Sequence, residues 1–181
     1  MICTSLQYRD IDDIFDAMDY PGMEMAEIRL DSCELSPDDI DELFSESDMP
    51  LVATCRISEK VPAAVAEAKL IRAIQAGAAY ADLEIEAPAM MSKRIRREAA
   101  ECGTILIRSF HDWQGTDSKI ALEAIVEKCV NLGAEIVKIV TTAHSEEDCK
   151  KVMSLYDTAK DTQLIAFCMG ELNLPLSALM T

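Results

Sequence analysis

Basic residues, histidine and long apolar runs are all scarce in this chain of 181 residues. Its 17 lysines and arginines stand against 33 aspartates and glutamates, which gives a net charge of −16, and it has two histidines. Such a charge repels phosphate backbones and anionic lipid, so we expect neither nucleic acid nor a membrane surface as a partner. No uncharged apolar run exceeds the length of a strand, and the first dozen residues contain an arginine and two aspartates. The sequence therefore predicts no signal peptide and no membrane span.

Cysteine pairing motifs are also missing. The seven cysteines are spread singly, with no CxxC pair: Cys3, Cys33, Cys55, Cys102, Cys129, Cys149 and Cys168. This usage is typical of reduced thiols, and it predicts a cytoplasmic protein. Several cysteines stand inside apolar runs, where a small buried hydrophobe is favoured over a nucleophile or a metal ligand.

Seven short strand-like runs alternate with amphipathic helical segments, without a Gly/Ser-rich linker between them. The runs are ICTSL, MAEIRL, PLVATCR, YADLEIE, TILIRSF, AEIVKIV and QLIAFCM. Helix starts are marked by Ser36-Pro37 and by Ser145, each followed by acidic residues. Half of the residues are hydrophobic, enough for one sizeable core. We predict one α/β domain with a parallel sheet over residues 1–181.

The sheet is predicted to close as a TIM-type (β/α) barrel. No GxGxxG or GxxxxGK[ST] motif follows the first strand, so the phosphate loop of a nucleotide-binding open sheet is missing. Charged residues instead recur near the carboxyl ends of the strands, where β/α barrels assemble their active sites. They are Glu27, Arg29, Asp31, Arg56, Glu84, Glu86, His111, Asp112 and Lys138.

Lys138 interrupts a β-branched run that should be buried on both faces, as the strands of a parallel sheet are. A buried charge is costly unless it is paired or reaches a cavity. One interpretation is a structural lysine that is ion-paired with a neighbouring carboxylate or extends to the end of the barrel. The other is a lysine whose pKa burial lowers, so that the neutral amine attacks a carbonyl and forms a Schiff base.

His111 follows the strand that precedes Lys138 along the chain. It is either a hydrogen-bonded structural residue or, beside a reactive lysine, a general acid/base that titrates near neutral pH. Glu84 supplies a carboxylate that would orient the imidazole or pair with the lysine. Glu86 lies on the same strand face, where we expect a solvated position. His144 is predicted to be a solvated loop residue.

Glu27, Arg29 and Asp31 alternate along one strand and so share a face. They form either a buried ion-pair ladder or a patch that hydrogen-bonds a polyhydroxylated ligand, to which Arg56 adds a fork for a carboxylate or a hydroxyl pair. The carboxylates and His111 would also suit a metal ion, but the neighbouring arginines and lysine oppose a cation. We therefore predict no metal site.

Together these segments resemble the type I 3-dehydroquinate dehydratase family. The resemblance rests on MICTSLQ, MAEIRLD, LVATCR, YADLEIE, RSFHDW, GAEIVKIV and LIAFCMGEL, seven motifs that follow one another in the family's order. It implies a (β/α)8 barrel that dehydrates 3-dehydroquinate to 3-dehydroshikimate in the shikimate pathway, with no cofactor.

The resemblance also implies a role for each matching residue. Lys138 would form the Schiff base, His111 would be the general acid/base, and Glu84 would orient His111. The substrate would be held by Ser5, Glu27, Arg29, Arg56 and Met169.

The chain departs from the family pattern after MGEL, where residues 173–181 form a divergent tail. Ser177 or Ala178 stands where the family has an arginine for the substrate carboxylate, and the loop that closes over the substrate, the eighth strand and the last helix have no counterpart. Ser58-Glu59-Lys60 also replaces the family's glycine pair. A seven-stranded barrel leaves two strand edges unpaired, so we predict a homodimer.

Two rival functions also fit the sequence. One is a degenerate barrel that survives as a small-molecule binding or interaction protein. The other is a different Schiff-base lyase or aldolase on the same barrel, because fold similarity does not determine the reaction.

Overall fold

The computed structural model describes residues 2–159 and 161–170. The strands are β1 (Cys3–Leu6), β2 (Met25–Arg29), β3 (Leu51–Thr54), β4 (Tyr80–Glu84), β5 (Ile105–Asp112), β6 (Ile136–Thr142) and β7 (Gln163–Met169). The helices are α1 (Ile11–Met18), α2 (Pro37–Glu46), α3 (Ala63–Gln75), α4 (Ala89–Cys102), α5 (Lys119–Asn131), α6 (Glu146–Met153) and α7 (Leu155–Thr158). Each of the seven predicted strands is present, and helices separate them.

The chain forms two compact units. The first unit contains the residues up to Leu83 together with Ala87–Leu106, and the second contains Glu84–Glu86 and the residues from Ile107 onward. Strands β1 to β4 pair in parallel and in chain order in the first unit, as do β5 to β7 in the second. Within each unit, the paired strands therefore have their carboxyl ends on the same side, which is what a β/α fold requires.

The core of the first unit lies where its strands meet helices α1 to α4. All four residues of β3 are buried, as expected for a strand that is covered on both faces. Helix α2 buries Ile40, Leu43 and Phe44, whose three- and four-residue spacing makes one apolar face. Ser36 caps this helix in a capping box with Asp39, which confirms the predicted helix start.

The second unit has a separate apolar core. Helix α5 contributes Leu122, Val126 and Cys129, which pack with Val137 and Ile139 of strand β6. Helix α6 starts with a capping box between Ser145 and Asp148, as the sequence predicts. The core face of β6 is thereby covered, and Lys138 and Thr142 belong to its opposite face.

Three sequence predictions concern the C-terminal tail, membrane-spanning helices and the number of domains. The predictions for residues 173–181, including those for Ser177 and Ala178, lie outside the described residues. Among the residues that are described, no helix has the length and apolar character needed to cross a bilayer. The single domain over residues 1–181 stays a prediction.

Candidate active site

Lys138 lies in the middle of β6 and is half-buried. In the parallel register it is opposite Ser109 of β5 and Ile165 of β7. The residues on either side of it, Val137 and Ile139, point into the apolar core and are completely buried. Because side chains alternate along a strand, Lys138 projects from the opposite face. The core packing of β6 therefore fixes the direction of the lysine.

His111 lies two residues beyond Ser109 on β5, so it projects from the same face as Lys138. From the strand spacing and the rise per residue, the Cα atoms of His111 and Lys138 are about 8 Å apart. The Nδ1 atom of His111 is 3.5 Å from Oε1 of Glu84, and the imidazole side chain is 9% exposed. This distance is long for a hydrogen bond but close enough for a carboxylate to orient the ring.

Glu84 is the last residue of β4. The next amide, that of Ile85, donates to the carbonyl of Ser109 at 2.9 Å, which aligns the end of β4 with β5. The second unit thus brings together Lys138, His111 and Glu84, the three residues predicted to carry the chemistry. Met169, a predicted substrate residue, lies opposite Thr142 in the register, and period-two alternation puts it on the face of Lys138, nearer the carboxyl end.

Arg29 and Asp31 form a two-point ion pair in the first unit. The Nε atom of Arg29 donates to Oδ1 of Asp31 at 3.1 Å and its Nη2 atom donates to Oδ2 at 2.8 Å. Burial raises the pKa of Asp31, but the guanidinium of Arg29 and the backbone N–H of Arg56 outweigh it, so that the pKa lies below its ordinary value. The hydrogen bond to Asp31 in turn raises the pKa of Arg29. Both groups are therefore charged, and the guanidinium is held in one orientation.

Two further pairs stand on the same face of the first unit. Arg56 donates from Nη1 and Nη2 to the two carboxylate oxygens of Asp82, at 3.0 and 3.2 Å. Thr54 donates to Oε1 of Glu27 at 2.8 Å. Asp82 and Thr54 are almost completely buried. Asp82 therefore holds Arg56, and Thr54 holds Glu27, from a buried position.

Ser5 is opposite Glu27 in the register and is exposed. The first unit therefore places Ser5, Glu27, Arg29 and Arg56 on one polar face, as the alternation along the strands predicts.

Sequence reasoning did not single out Thr54, Asp82 or Trp113. The ring of Trp113 stacks on His111, with 5.8 Å between the ring centroids and 14° between the planes. Asp82 could have been found, because it alternates with Glu84 along β4 and so shares its face. The contacts of Thr54 and Trp113 depend on side-chain orientation, for which the sequence holds no signal.

The remaining candidates are peripheral. Glu86 and His144 are both exposed, as predicted. The Nε2 atom of His144 is 2.7 Å from the carbonyl of Gln114, and its backbone N–H donates to Asp148. Within residues 2–159 and 161–170, no three side chains of histidine, cysteine, aspartate or glutamate are placed to hold a metal ion.

Alternating parallel strands and helices, with a lysine, a histidine and a glutamate together at one face, define a β/α-barrel enzyme. The family model described as type I 3-dehydroquinase matches residues 2–178. The chain therefore belongs to the type I 3-dehydroquinase family.

Individual relatives agree with this assignment. The 3-dehydroquinate dehydratase of Desulfotalea psychrophila is 36% identical over 157 residues, which cover 83% of this chain and 69% of the relative. That of Syntrophobacter fumaroxidans is 31% identical over 185 residues, covering 94% and 77%.

A solved structure shows the fold. The type I 3-dehydroquinate dehydratase of Clostridium difficile, solved with covalently modified comenic acid, superposes with a TM-score of 0.84 at 18% identity, covering 94% of this chain and 75% of that one. The predicted TIM-barrel class is thereby confirmed.

Proposed function

We propose that this chain dehydrates 3-dehydroquinate to 3-dehydroshikimate, as a hydro-lyase of the shikimate pathway, through a Schiff base on Lys138. The observation that carries the proposal is the grouping of Lys138, His111 and Glu84 in a chain of the type I 3-dehydroquinase family. A half-buried amine beside a proton-transfer pair has the chemistry that this reaction needs.

The reaction starts with covalent activation of the ketone. The neutral amine of Lys138 attacks the carbonyl carbon, and water leaves to form an iminium ion. His111 then removes a proton from the neighbouring carbon, and the C–H electron pair moves into the iminium to give an enamine.

The enamine next expels the hydroxyl group, which takes the proton from His111 and departs as water. Addition of water to the new iminium releases 3-dehydroshikimate and restores the lysine, so the net change is the loss of one water molecule. Glu84 orients His111 throughout and stabilises the imidazolium that forms.

The polar face of the first unit supplies the groups for substrate binding. In this proposal Arg29 and Arg56 donate to substrate oxygens, and Glu27 and Ser5 bond its hydroxyls. Charge-assisted bonds of this kind contribute about 1.5 to 3 kcal/mol each. Met169 contributes an apolar contact from β7.

Borohydride trapping tests the proposal directly. The protein is incubated with 3-dehydroquinate and borohydride, and the Lys138 peptide is examined by mass spectrometry. The expected result is a reduced adduct together with turnover of untreated enzyme. An adduct formed only with other ketones would instead support another Schiff-base lyase or aldolase. No adduct and no turnover would support a binding protein without this activity.

We also propose that the protein is a cytoplasmic homodimer. The compartment is supported by the seven cysteines, none of which forms a disulfide among the described residues. The assembly is supported by β1 and β7, each of which pairs with one neighbouring strand within the described residues. A monomeric mass in light scattering at micromolar concentration would contradict the dimer.

A further inference from the structure

Hydrogen bonds fix the turn after β5 at both of its ends. The Oδ1 atom of Asp112 accepts from the backbone N–H groups of Gln114 and Gly115, at 2.8 and 3.2 Å. The hydroxyl of Thr142 donates to the carbonyl of Asp112 at 3.1 Å, and the N–H of Thr142 donates to the carbonyl of Gly115. The turn is thus bonded to itself and to the end of β6, the strand that carries Lys138.

Trp113 lies within this turn, between Asp112 and Gln114. The residue is 70% exposed, so burial in the apolar core does not explain its position. Its ring lies nearly parallel to the imidazole of His111, with 5.8 Å between the centroids. Offset stacking at such distances is an attractive geometry for two aromatic rings.

We propose that Trp113 is a positioning residue that holds the imidazole of His111 in the orientation needed for proton transfer. This inference rests on the proposed function and adds to it a residue that acts through His111. Glu84 lies at Nδ1 of the imidazole, whereas the Trp113 ring lies nearly parallel to the imidazole plane in an offset stack. The two contacts together restrict both the tilt and the rotation of the ring. Misplacement of a proton-transfer group lowers the rate even where the group itself is retained.

Three variants test this role by kinetics. In Trp113→Ala we expect kcat to fall by about tenfold, because the histidine remains but is less well oriented. KM and borohydride trapping on Lys138 should stay near their wild-type values. Trp113→Phe keeps a stacking ring and should recover most of kcat. Ile120→Ala is the matched control, since it removes another exposed apolar side chain of the same unit, 79% exposed, and should match the wild type.

Three kinetic results would contradict the proposal. A Trp113→Ala variant with wild-type kcat excludes a positioning role. A loss confined to KM points to substrate contact instead of orientation of His111. A Trp113→Phe variant as slow as Trp113→Ala shows that ring stacking is not what matters.

Fluorescence tests the stack without any turnover. Trp113 is the single tryptophan of the chain, so its emission is measured without interference from another indole. A protonated imidazole in contact with an indole quenches its emission, so in mildly acidic buffer His111→Asn should emit more strongly than the wild type. The two proteins should emit equally in denaturant, which is the control. Equal emission of the folded proteins overturns the stack. A wild-type chain that shows no turnover or trapping overturns the proposed function, and the fluorescence comparison still decides whether Trp113 stacks on His111.

Discussion

The polar residues of the two units are held in different ways. In the first unit, the candidate binding groups are fixed by short bonds between side chains, such as those from Arg29 to Asp31 and from Arg56 to Asp82. In the second unit, the carboxylate of Glu84 stands 3.5 Å from His111, and the imidazole is bordered by an aromatic face. The first arrangement is a set of short bonds to buried or half-buried carboxylates, and the second includes a longer contact between a carboxylate and an imidazole.

The difference suits two kinds of work. A group that binds substrate is most effective when its orientation is fixed in advance, because less conformational freedom is lost on binding. A group that accepts and returns a proton must be oriented without being locked into one protonation state by a strong ion pair. Substitutions in the two units should therefore separate binding from chemistry.

The largest effect is expected for Lys138→Ala in the second unit. Without the amine no Schiff base forms, so both turnover and borohydride trapping should be lost. Assays of 3-dehydroquinate dehydration and mass spectrometry of the trapped protein measure the two. Lys150→Ala is the matched control, because that side chain is 70% exposed on α6, and it should retain both activities. Adduct formation at another lysine in Lys138→Ala would show that the nucleophile is misassigned.

His111→Ala should separate the covalent step from proton transfer. We expect kcat to fall by about 10²- to 10⁴-fold, the usual contribution of a general acid/base. The adduct on Lys138 should still form, which serves as the internal control for a folded and competent site. Normal turnover in this variant would mean that another group transfers the proton.

Asp31→Asn should affect binding and leave the chemistry intact. Asp31 keeps Arg29 in place, and loss of one charge-assisted bond costs about 1.5 to 3 kcal/mol, so KM should rise by about 10- to 100-fold. The value of kcat should change little. Asp38→Asn is the matched control, since Asp38 is also paired with an arginine in the first unit but is 98% exposed. A fall in kcat with unchanged KM would refute the division between the units.

The smallest effect concerns the acid stability of the second unit. Hydrogen bonds from Lys151 and from the backbone of His144 lower the pKa of Asp148 from 3.8 to about 2. Because the folded pKa lies below the unfolded one, this stabilisation is present above pH 3.8 and is lost as the pH falls towards about 2. Asp148→Ala should therefore lower Tm at neutral pH, and its difference from the wild type should shrink in acid.

Thermal unfolding followed across this pH range measures the effect. Glu147→Ala is the control on the same helical turn, because its contact with Lys150 is exposed and 3.9 Å long, and its Tm should match the wild type. A Tm difference for Asp148→Ala that is constant down to the lowest pH would contradict the assigned role.

The sequence was informative wherever local patterns determine the structure. The β-branched runs predicted all seven strands, and Ser36 and Ser145 marked helix starts through capping boxes that involve only neighbouring residues. Alternation along β6 placed Lys138 opposite its buried neighbours. The contact between Glu84 and His111 was anticipated, but other contacts between residues far apart in the sequence were missed. The bond from Thr54 to Glu27 spans 27 residues, and the sequence does not determine which hydroxyl meets which carboxylate.

Stacking of Trp113 on His111 was missed for a different reason. The two residues are close in the chain, but their contact depends on the turn that Asp112 closes by accepting from Gln114 and Gly115. An aspartate followed by a glycine predicts a turn without fixing where the intervening side chains point.

The distribution of buried thiols determines which part of the protein chemical labels can reach. Burial raises the pKa of Cys55 to about 12 and that of Cys129 to about 11, so neither forms a thiolate near neutral pH. All three cysteines of the second unit are buried, and the two exposed ones, Cys3 and Cys102, belong to the first. A maleimide dye added to the folded protein would therefore mark the unit with the candidate binding groups and leave the unit with Lys138 unmarked.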